Sequence, residues 1–112
     1  MNYRVEVSAR FEKEIKKLIK KYPSIKGEYE YLIADLKTNP VQGISLGKNC
    51  FKIRISIASK NKGKSGGARV ITYIYFEGLT VYLLSIFDKS DQESITDMEL
   101  NEILKELKQS TA

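Results

Sequence analysis

The chain has 112 residues, of which 42% are hydrophobic and 29% charged, and it carries a formal net charge of +5. These values indicate one globular domain spanning residues 1–112, with a single hydrophobic core, and they do not favour intrinsic disorder. Because histidine is absent and Cys50 is the only cysteine, the sequence also excludes Ser-His triads, histidine or thiolate zinc sites and an internal disulfide.

The first third of the chain predicts a short strand and two helices. Residues 3–8, YRVEVS, alternate as a strand does, and Ser8 can cap the helix that follows. Two apolar stripes at helical spacing come next, ended by Pro23 and by Asn39-Pro40. They consist of Phe11, Ile15, Leu18, Ile19 and Tyr22, and of Ile25, Tyr29, Leu32, Ile33 and Leu36. We predict an antiparallel helical hairpin that buries one shared face.

The middle of the chain predicts three strands. Residues 41–49 are interpreted as a loop because of their glycines. Residues 51–58, FKIRISIA, alternate, with isoleucines on one face and Lys52 and Arg54 on the other. Residues 68–76 and 79–87 form a hairpin around Glu77-Gly78, and the second of these strands, apolar on both faces, is expected inside the sheet.

The last element predicted is a helix. Thr96 and Glu99 form a capping box, and a narrow apolar stripe follows. The stripe consists of Leu100, Ile103, Leu104 and Leu107. The predicted fold class is therefore α+β: a small, mainly antiparallel sheet with an N-terminal strand, a helical hairpin packed on one face and a C-terminal helix.

Positive charge is concentrated in residues 44–75, which carry seven basic side chains and no acidic one. The seven are Lys48, Lys52, Arg54, Lys60, Lys62, Lys64 and Arg69. We expect Lys52, Arg54 and Arg69 to share the sheet face opposite the helical hairpin, with the 60–64 loop as a cationic rim. Cations placed side by side repel unless an anion lies between them, which predicts a polyanion site.

A nucleotide-binding loop is not expected, although KGKSGGAR contains GKS. The first glycine of the phosphate-loop motif is missing, and a strand follows where that motif needs a helix. The acidic residues also lack the spacing of a Mg²⁺ site, so we expect no metal and no cofactor.

A cationic cluster without histidine can still cleave RNA, because the ribose 2′-OH supplies the nucleophile. The protein then has to hold the nucleotide in line and neutralise charge on the phosphorane, a task that suits arginine. In this interpretation Lys52 or Arg54 acts on the 2′-OH and Arg69 clamps the phosphate. The alternative is that all three only bind the RNA backbone.

Residues 51–91 resemble the core of RelE/ParE-type toxins of bacterial toxin–antitoxin modules, and KGKSGGARVI and YLLSIFDKSD are most similar to the HigB branch. The resemblance implies a RelE-like fold and a ribosome-dependent mRNA endonuclease that cuts RNA without metal and inhibits translation. It implies catalytic roles for Lys52, Arg54, Arg69 and Lys89. The C-terminal tyrosine of RelE-type toxins has no counterpart here, and Phe87 is either a stacking face for a base or a core residue.

The resemblance also implies the surroundings of the protein. We expect RNA contacts from Lys48, Lys60, Lys62, Lys64 and Phe87. The expected partners are the ribosome, mRNA and a helix-turn-helix (HigA-like) antitoxin. We expect the toxin to be a monomer when it is alone and part of an oligomer when it is bound to the antitoxin. No apolar run reaches the ~20 residues of a membrane span and no signal peptide is recognisable, which favours the cytoplasm.

Two other functions remain open from the sequence. One is a ParE-like inhibitor of DNA gyrase, although ParE-type members generally lack the paired basic residues that Lys52 and Arg54 provide. The other is an RNA-binding module without catalytic activity.

Overall fold

Five strands and three helices follow one another in residues 2–58 and 66–111, the part of the chain that the computed structural model describes. They are β1 (Arg4–Val7), α1 (Ala9–Lys21), α2 (Ile25–Leu36), β2 (Ile44–Gly47), β3 (Cys50–Ile55), β4 (Ala68–Tyr75), β5 (Thr80–Asp88) and α3 (Asp97–Thr111). The predicted α+β class and element order are confirmed, with one additional strand. The predicted rim of Lys60, Lys62 and Lys64 lies outside the described residues.

The strands form one sheet in the order β1-β5-β4-β3-β2. β1 runs parallel to β5, and the other neighbouring strands are antiparallel. β5 therefore lies between β1 and β4, inside the sheet. Its burial on both faces explains why its sequence has apolar residues on both faces instead of alternating.

The additional strand corrects the prediction for residues 41–49. Instead of a loop, Ile44–Gly47 form β2, which turns through Lys48 and Asn49 into β3. Both turn residues have positive φ, 56° and 61°, as in the two-residue turns that join antiparallel strands. Most of β2 is exposed, so it has no buried face whose alternation would mark a strand in the sequence.

The helical hairpin packs on one sheet face, as predicted. Phe11 of α1 and Leu36 of α2 are fully buried, and they belong to the same hydrophobic cluster as Ile53 and Ile55 of β3. The Ser8 side chain accepts a hydrogen bond from Phe11 N–H (3.1 Å), which confirms the predicted cap of α1.

The opposite face carries a second hydrophobic cluster, where the sequence predicts a single core. The apolar stripe of α3 packs there against β3, β4 and β5, and the cluster includes Cys50, Ile71, Leu84 and Phe87. The predicted capping box is confirmed: Thr96 N–H donates to Glu99 Oε1 (2.9 Å) and Glu99 N–H to Thr96 Oγ1 (3.1 Å). The α3 helix therefore covers part of the face on which the cations lie.

A bidentate ion pair joins the first and last helices. Arg10 Nε and Nη2 donate to the two carboxylate oxygens of Glu106 at 2.8 and 2.7 Å. This hydrogen bonding lowers the pKa of Glu106.

No helix in the described part of the chain is long and apolar enough to cross a membrane.

Candidate nucleic-acid interface

The centre of the candidate interface is a pair of arginines on neighbouring strands. Arg54 of β3 lies directly opposite Arg69 of β4. The Asn49 carbonyl accepts a hydrogen bond from Ile74 N–H (2.9 Å), so these two residues form a hydrogen-bonded pair. Hydrogen-bonded and non-hydrogen-bonded pairs alternate along an antiparallel ladder, and Arg54 and Arg69 lie five positions further on. The arginines are therefore a non-hydrogen-bonded pair. Side chains approach most closely in such pairs, whose Cα atoms lie about 4.5 Å apart. The antiparallel register therefore brings two positive charges to one spot.

The two arginines differ in exposure. Arg54 is open to solvent, whereas Arg69 is only 3% exposed, and its Nη1 donates to the Ala68 carbonyl at 3.1 Å. Burial lowers the pKa of Arg69, and the charge of Arg54 lowers it further, while Glu93 acts in the opposite direction. A guanidinium remains protonated in proteins even so. An anion bound between the two would relieve both the repulsion and part of the desolvation.

Lys52 lies on the same face, two residues before Arg54 and opposite Ile71. It is half-buried, and its Nζ lies 3.5 Å from the Glu93 carbonyl oxygen. The structure thus brings Lys52, Arg54 and Arg69 together. We call these three residues the cationic cluster.

Lys89 and Phe87 lie at the end of β5, next to this cluster. Phe87 is opposite Arg69 on β5, but it is only 9% exposed and packs in the second hydrophobic cluster. Lys89 is half-buried, and its backbone N–H donates to the Gly67 carbonyl at 3.0 Å. Lys89 therefore comes directly after the strand that pairs with β4 at Arg69. Most of the Phe87 ring is buried in the second hydrophobic cluster.

Lys48 does not join the cationic cluster. It lies in the turn between β2 and β3, where its Nζ donates to Asn101 Oδ1 of α3. The distance from Cys50 to Arg54 along β3 is already about 13 Å, since a strand rises about 3.3 Å per residue. Any RNA contact at Lys48 is consequently separate from contacts at Arg54.

An acidic residue that the sequence analysis does not single out also borders the cluster. Glu93 lies in the connection from β5 to α3, with its carbonyl near Lys52 and its charge acting on Arg69. Asp88 fixes the start of this connection, because its Oδ1 accepts hydrogen bonds from Ser90 N–H (3.0 Å) and Ser90 Oγ (2.9 Å). The acidic run after Lys89, SDQESITD, is the sequence signal that points to this contact.

No protein-family model matches the chain. Solved structures similar to it include a mutant of Escherichia coli toxin RelE in the free state, with a TM-score of 0.60 and 18% identity over 83% of this chain and 90% of that one. The Mycobacterium tuberculosis toxin–antitoxin complex RelBE2 matches with a TM-score of 0.58 and 19% identity over 79% and 99% of the two chains. Isolated E. coli RelE gives 0.54 and 18% over 94% and 98%. The chain therefore has the RelE fold.

Proposed function

We propose that the chain is the toxin of a toxin–antitoxin module and acts as a ribosome-dependent mRNA endonuclease that inhibits translation. The observation that carries the proposal is the opposed pair Arg54 and Arg69 with Lys52 on the same face. Such a site matches the charge and the bidentate geometry of a phosphate. The fold shared with RelE toxins supports the same function.

The proposed reaction is attack of the ribose 2′-oxygen on the adjacent phosphorus. The new bond joins the 2′-oxygen to phosphorus, and the bond from phosphorus to the 5′-oxygen breaks. The 2′-OH loses a proton and the 5′-oxygen gains one, leaving a 2′,3′-cyclic phosphate and a 5′-OH. The protein supplies positioning and charge stabilisation, and the attacking oxygen comes from the RNA.

Each member of the site is assigned a part in this reaction. Arg69 is fixed by burial and clamps a non-bridging oxygen, while Arg54 is exposed and can close on the phosphate from the opposite strand. Lys52 or Arg54 acts at the 2′-OH. Lys89, which follows β5, is proposed to act at the phosphate or at the leaving oxygen.

We further propose the partners that accompany this function. The HigB-like segments KGKSGGARVI and YLLSIFDKSD favour a helix-turn-helix, HigA-like antitoxin. The similar M. tuberculosis structure is itself a toxin–antitoxin complex. Because the proposed substrate is mRNA on the ribosome, the site of action is the cytoplasm. Lys48, Lys60, Lys62 and Lys64 are proposed to add contacts to RNA outside the cationic cluster.

Expression of the wild type and of Arg54→Gln in bacteria tests the proposal. Arg54 is exposed, so the substitution should remove a charge without affecting the fold. We expect the wild type to arrest growth and to cut translated mRNA in frame. We expect Arg54→Gln to cut at least about a hundredfold more slowly, the usual effect of losing one donor to a transition-state oxyanion. Arg4→Gln on β1, whose side chain is 73% exposed, is the matched control and should retain activity.

Other outcomes would point to other functions. If the wild type leaves translated mRNA intact, the proposal is wrong. A DNA-damage response without arrest of translation would favour the gyrase inhibitor. Binding of RNA without cleavage, weakened by Arg54→Gln, would favour the RNA-binding module.

A further inference from the structure

Glu93 is an acidic residue whose charge is felt inside the cationic cluster. It acts to raise the pKa of Arg69, in the direction opposite to burial and to Arg54. Its backbone carbonyl oxygen lies 3.5 Å from Lys52 Nζ. Its side chain is exposed and forms no ion pair with the cations of the described residues. The carboxylate is therefore close to the cluster, and its oxygens are open to a bound substrate.

The connection from β5 to α3 holds the backbone of Glu93 in place. The Asp88 carbonyl accepts hydrogen bonds from Asp91 N–H (3.0 Å) and Gln92 N–H (3.3 Å), which form a turn directly after β5. The Gln92 side chain then spans Glu93, because its Nε2 donates to the Ser94 carbonyl at 2.9 Å. The capping box of α3 fixes the other end of the connection. Glu93 therefore has a fixed backbone and an exposed side chain.

The proposed cleavage reaction needs an acceptor for the proton of the 2′-OH. Arginine stays protonated in proteins. An ordinary lysine, with a pKa of about 10.4, is neutral in fewer than about one molecule in a thousand at pH 7. An ordinary carboxylate is ionised almost completely at that pH and can only accept hydrogen bonds. The cationic cluster is thus suited to stabilising negative charge, and a carboxylate beside it is suited to taking the proton.

The position of Glu93 selects the group of the RNA that it meets. A carboxylate repels a phosphate, so a bound nucleotide has to present a hydrogen-bond donor to it. With the phosphate between Arg54 and Arg69, the 2′-OH is the donor beside it, because the attacking oxygen lies about 3–3.5 Å from phosphorus before reaction. Lys52 lies on the same sheet face, with its Nζ next to the Glu93 backbone. An ammonium and a carboxylate together match a hydroxyl that loses its proton.

We propose that Glu93 is a further catalytic residue, the general base that removes the 2′-OH proton during RNA cleavage; this inference rests on the proposed function. The O–H bond of the 2′-OH breaks as the bond from the 2′-oxygen to phosphorus forms, and the proton goes to a Glu93 carboxylate oxygen. Lys52 donates a hydrogen bond to the 2′-oxygen, while Arg54 and Arg69 hold the phosphate. The leaving 5′-oxygen gains its proton from Lys89 or from water, and Glu93 afterwards returns its proton to solvent.

Single-turnover cutting of mRNA on programmed ribosomes by the purified full chain tests this role. Glu93→Gln keeps the size of an exposed side chain and removes the base. We expect it to cut at least about a hundredfold more slowly, the usual effect of losing a general base. Its affinity for ribosomes programmed with mRNA that carries a 2′-deoxynucleotide at the cleavage site should equal that of the wild type, which also shows that the variant is folded. Asp91→Asn, which removes a charge from an exposed residue of the same connection, is the matched control and should cut normally.

The pH dependence of cutting distinguishes a base from a residue that only supports the fold. The charged groups near Glu93 are those of the cationic cluster on β3 and β4, with Lys89 and Asp91 in its own connection. Between about pH 6 and pH 8 the wild-type rate should stay nearly level, because a carboxylate remains ionised over this range. The Glu93→Gln rate should rise about tenfold per pH unit, because hydroxide then has to remove the proton.

The outcomes separate this inference from the proposed function. A wild-type rate that itself rises about tenfold per pH unit would identify a lysine as the base, and the inference would be wrong. Cutting by Glu93→Gln at the wild-type rate would also contradict it, and faster cutting would mean that Glu93 is an anion that competes with RNA. In both cases the proposed function stands. A wild type that leaves mRNA on the ribosome intact would instead overturn the proposed function, and this inference with it.

Discussion

Cys50, at the start of β3, is the single thiol of the chain. It is fully buried in the second hydrophobic cluster, beneath α3. Burial raises the pKa of its thiol to about 11, although the nearby charge of Lys48 acts in the opposite direction. Because the thiolate is the reactive form, this side chain should be inert while the protein is folded.

Thiol labelling in mild alkali tests this expectation. Relative to an ordinary thiol, whose pKa is 9.0, the raised value of about 11 lowers the thiolate fraction about a hundredfold. We expect native Cys50 to react with an aromatic disulfide reagent at least about a hundredfold more slowly than Cys50 in urea. Rapid reaction without denaturant would show that α3 opens readily from the sheet.

The positions of individual cations were predictable only in part. The alternation of FKIRISIA is sufficient to put Lys52 and Arg54 on one face of a strand. Their position opposite Arg69 depends on strand register, which the length of the connection and the packing of both strands determine. The burial of Arg69 arises from tertiary packing that no local pattern encodes.

At the scale of elements, β2 depends on the glycine that precedes it. Gly43 has φ +86°, and a Cβ there would lie 2.2 Å from the Lys52 carbonyl oxygen. Gly47, at the other end of β2, has φ +81° with open space around it. The two glycines share a left-handed backbone conformation that residues with a side chain rarely adopt, and only Gly43 also has a close backbone neighbour.

Alanine substitutions at these glycines separate the two effects. Gly47→Ala should lower the free energy of unfolding by about 1 kcal/mol, the cost of a side chain in the left-handed region. Gly43→Ala should lower it by about 2–4 kcal/mol, since β2 has to move away from β3 as well. Urea unfolding of the wild type and both variants measures these values. Equal losses would contradict the close contact at Gly43.

Elements with a buried apolar face were predictable from the sequence. α1, α2 and α3 have apolar stripes and end signals that fix their positions, including the caps at Ser8 and Thr96. β2 was missed because it is short and mostly exposed. Its glycines are typical of a loop when only the local sequence is considered. The segment becomes a strand because the turn at Lys48 and Asn49 brings it alongside β3.

At the scale of the whole molecule, the two faces of the sheet differ in what they contact. One face packs against the helical hairpin. The other is divided between the hydrophobic cluster beneath α3 and the cationic cluster of Lys52, Arg54 and Arg69. The charge asymmetry of residues 44–75 pointed to a polyanion site, but it could not show which of these basic residues lie together in the folded protein. The structure separates Lys48 from the cluster by placing it against α3.

The central claim is that the cationic cluster cleaves mRNA on the ribosome by 2′-OH attack. The most direct measurement is cutting of an end-labelled mRNA by the purified chain, on programmed ribosomes and free in solution, with analysis of the product ends. We predict cuts on the ribosome that leave 2′,3′-cyclic phosphate and 5′-OH ends, slowed at least about a hundredfold by Arg54→Gln and retained by Arg4→Gln. Products with 5′-phosphate ends, or unchanged cutting by Arg54→Gln, would contradict the claim.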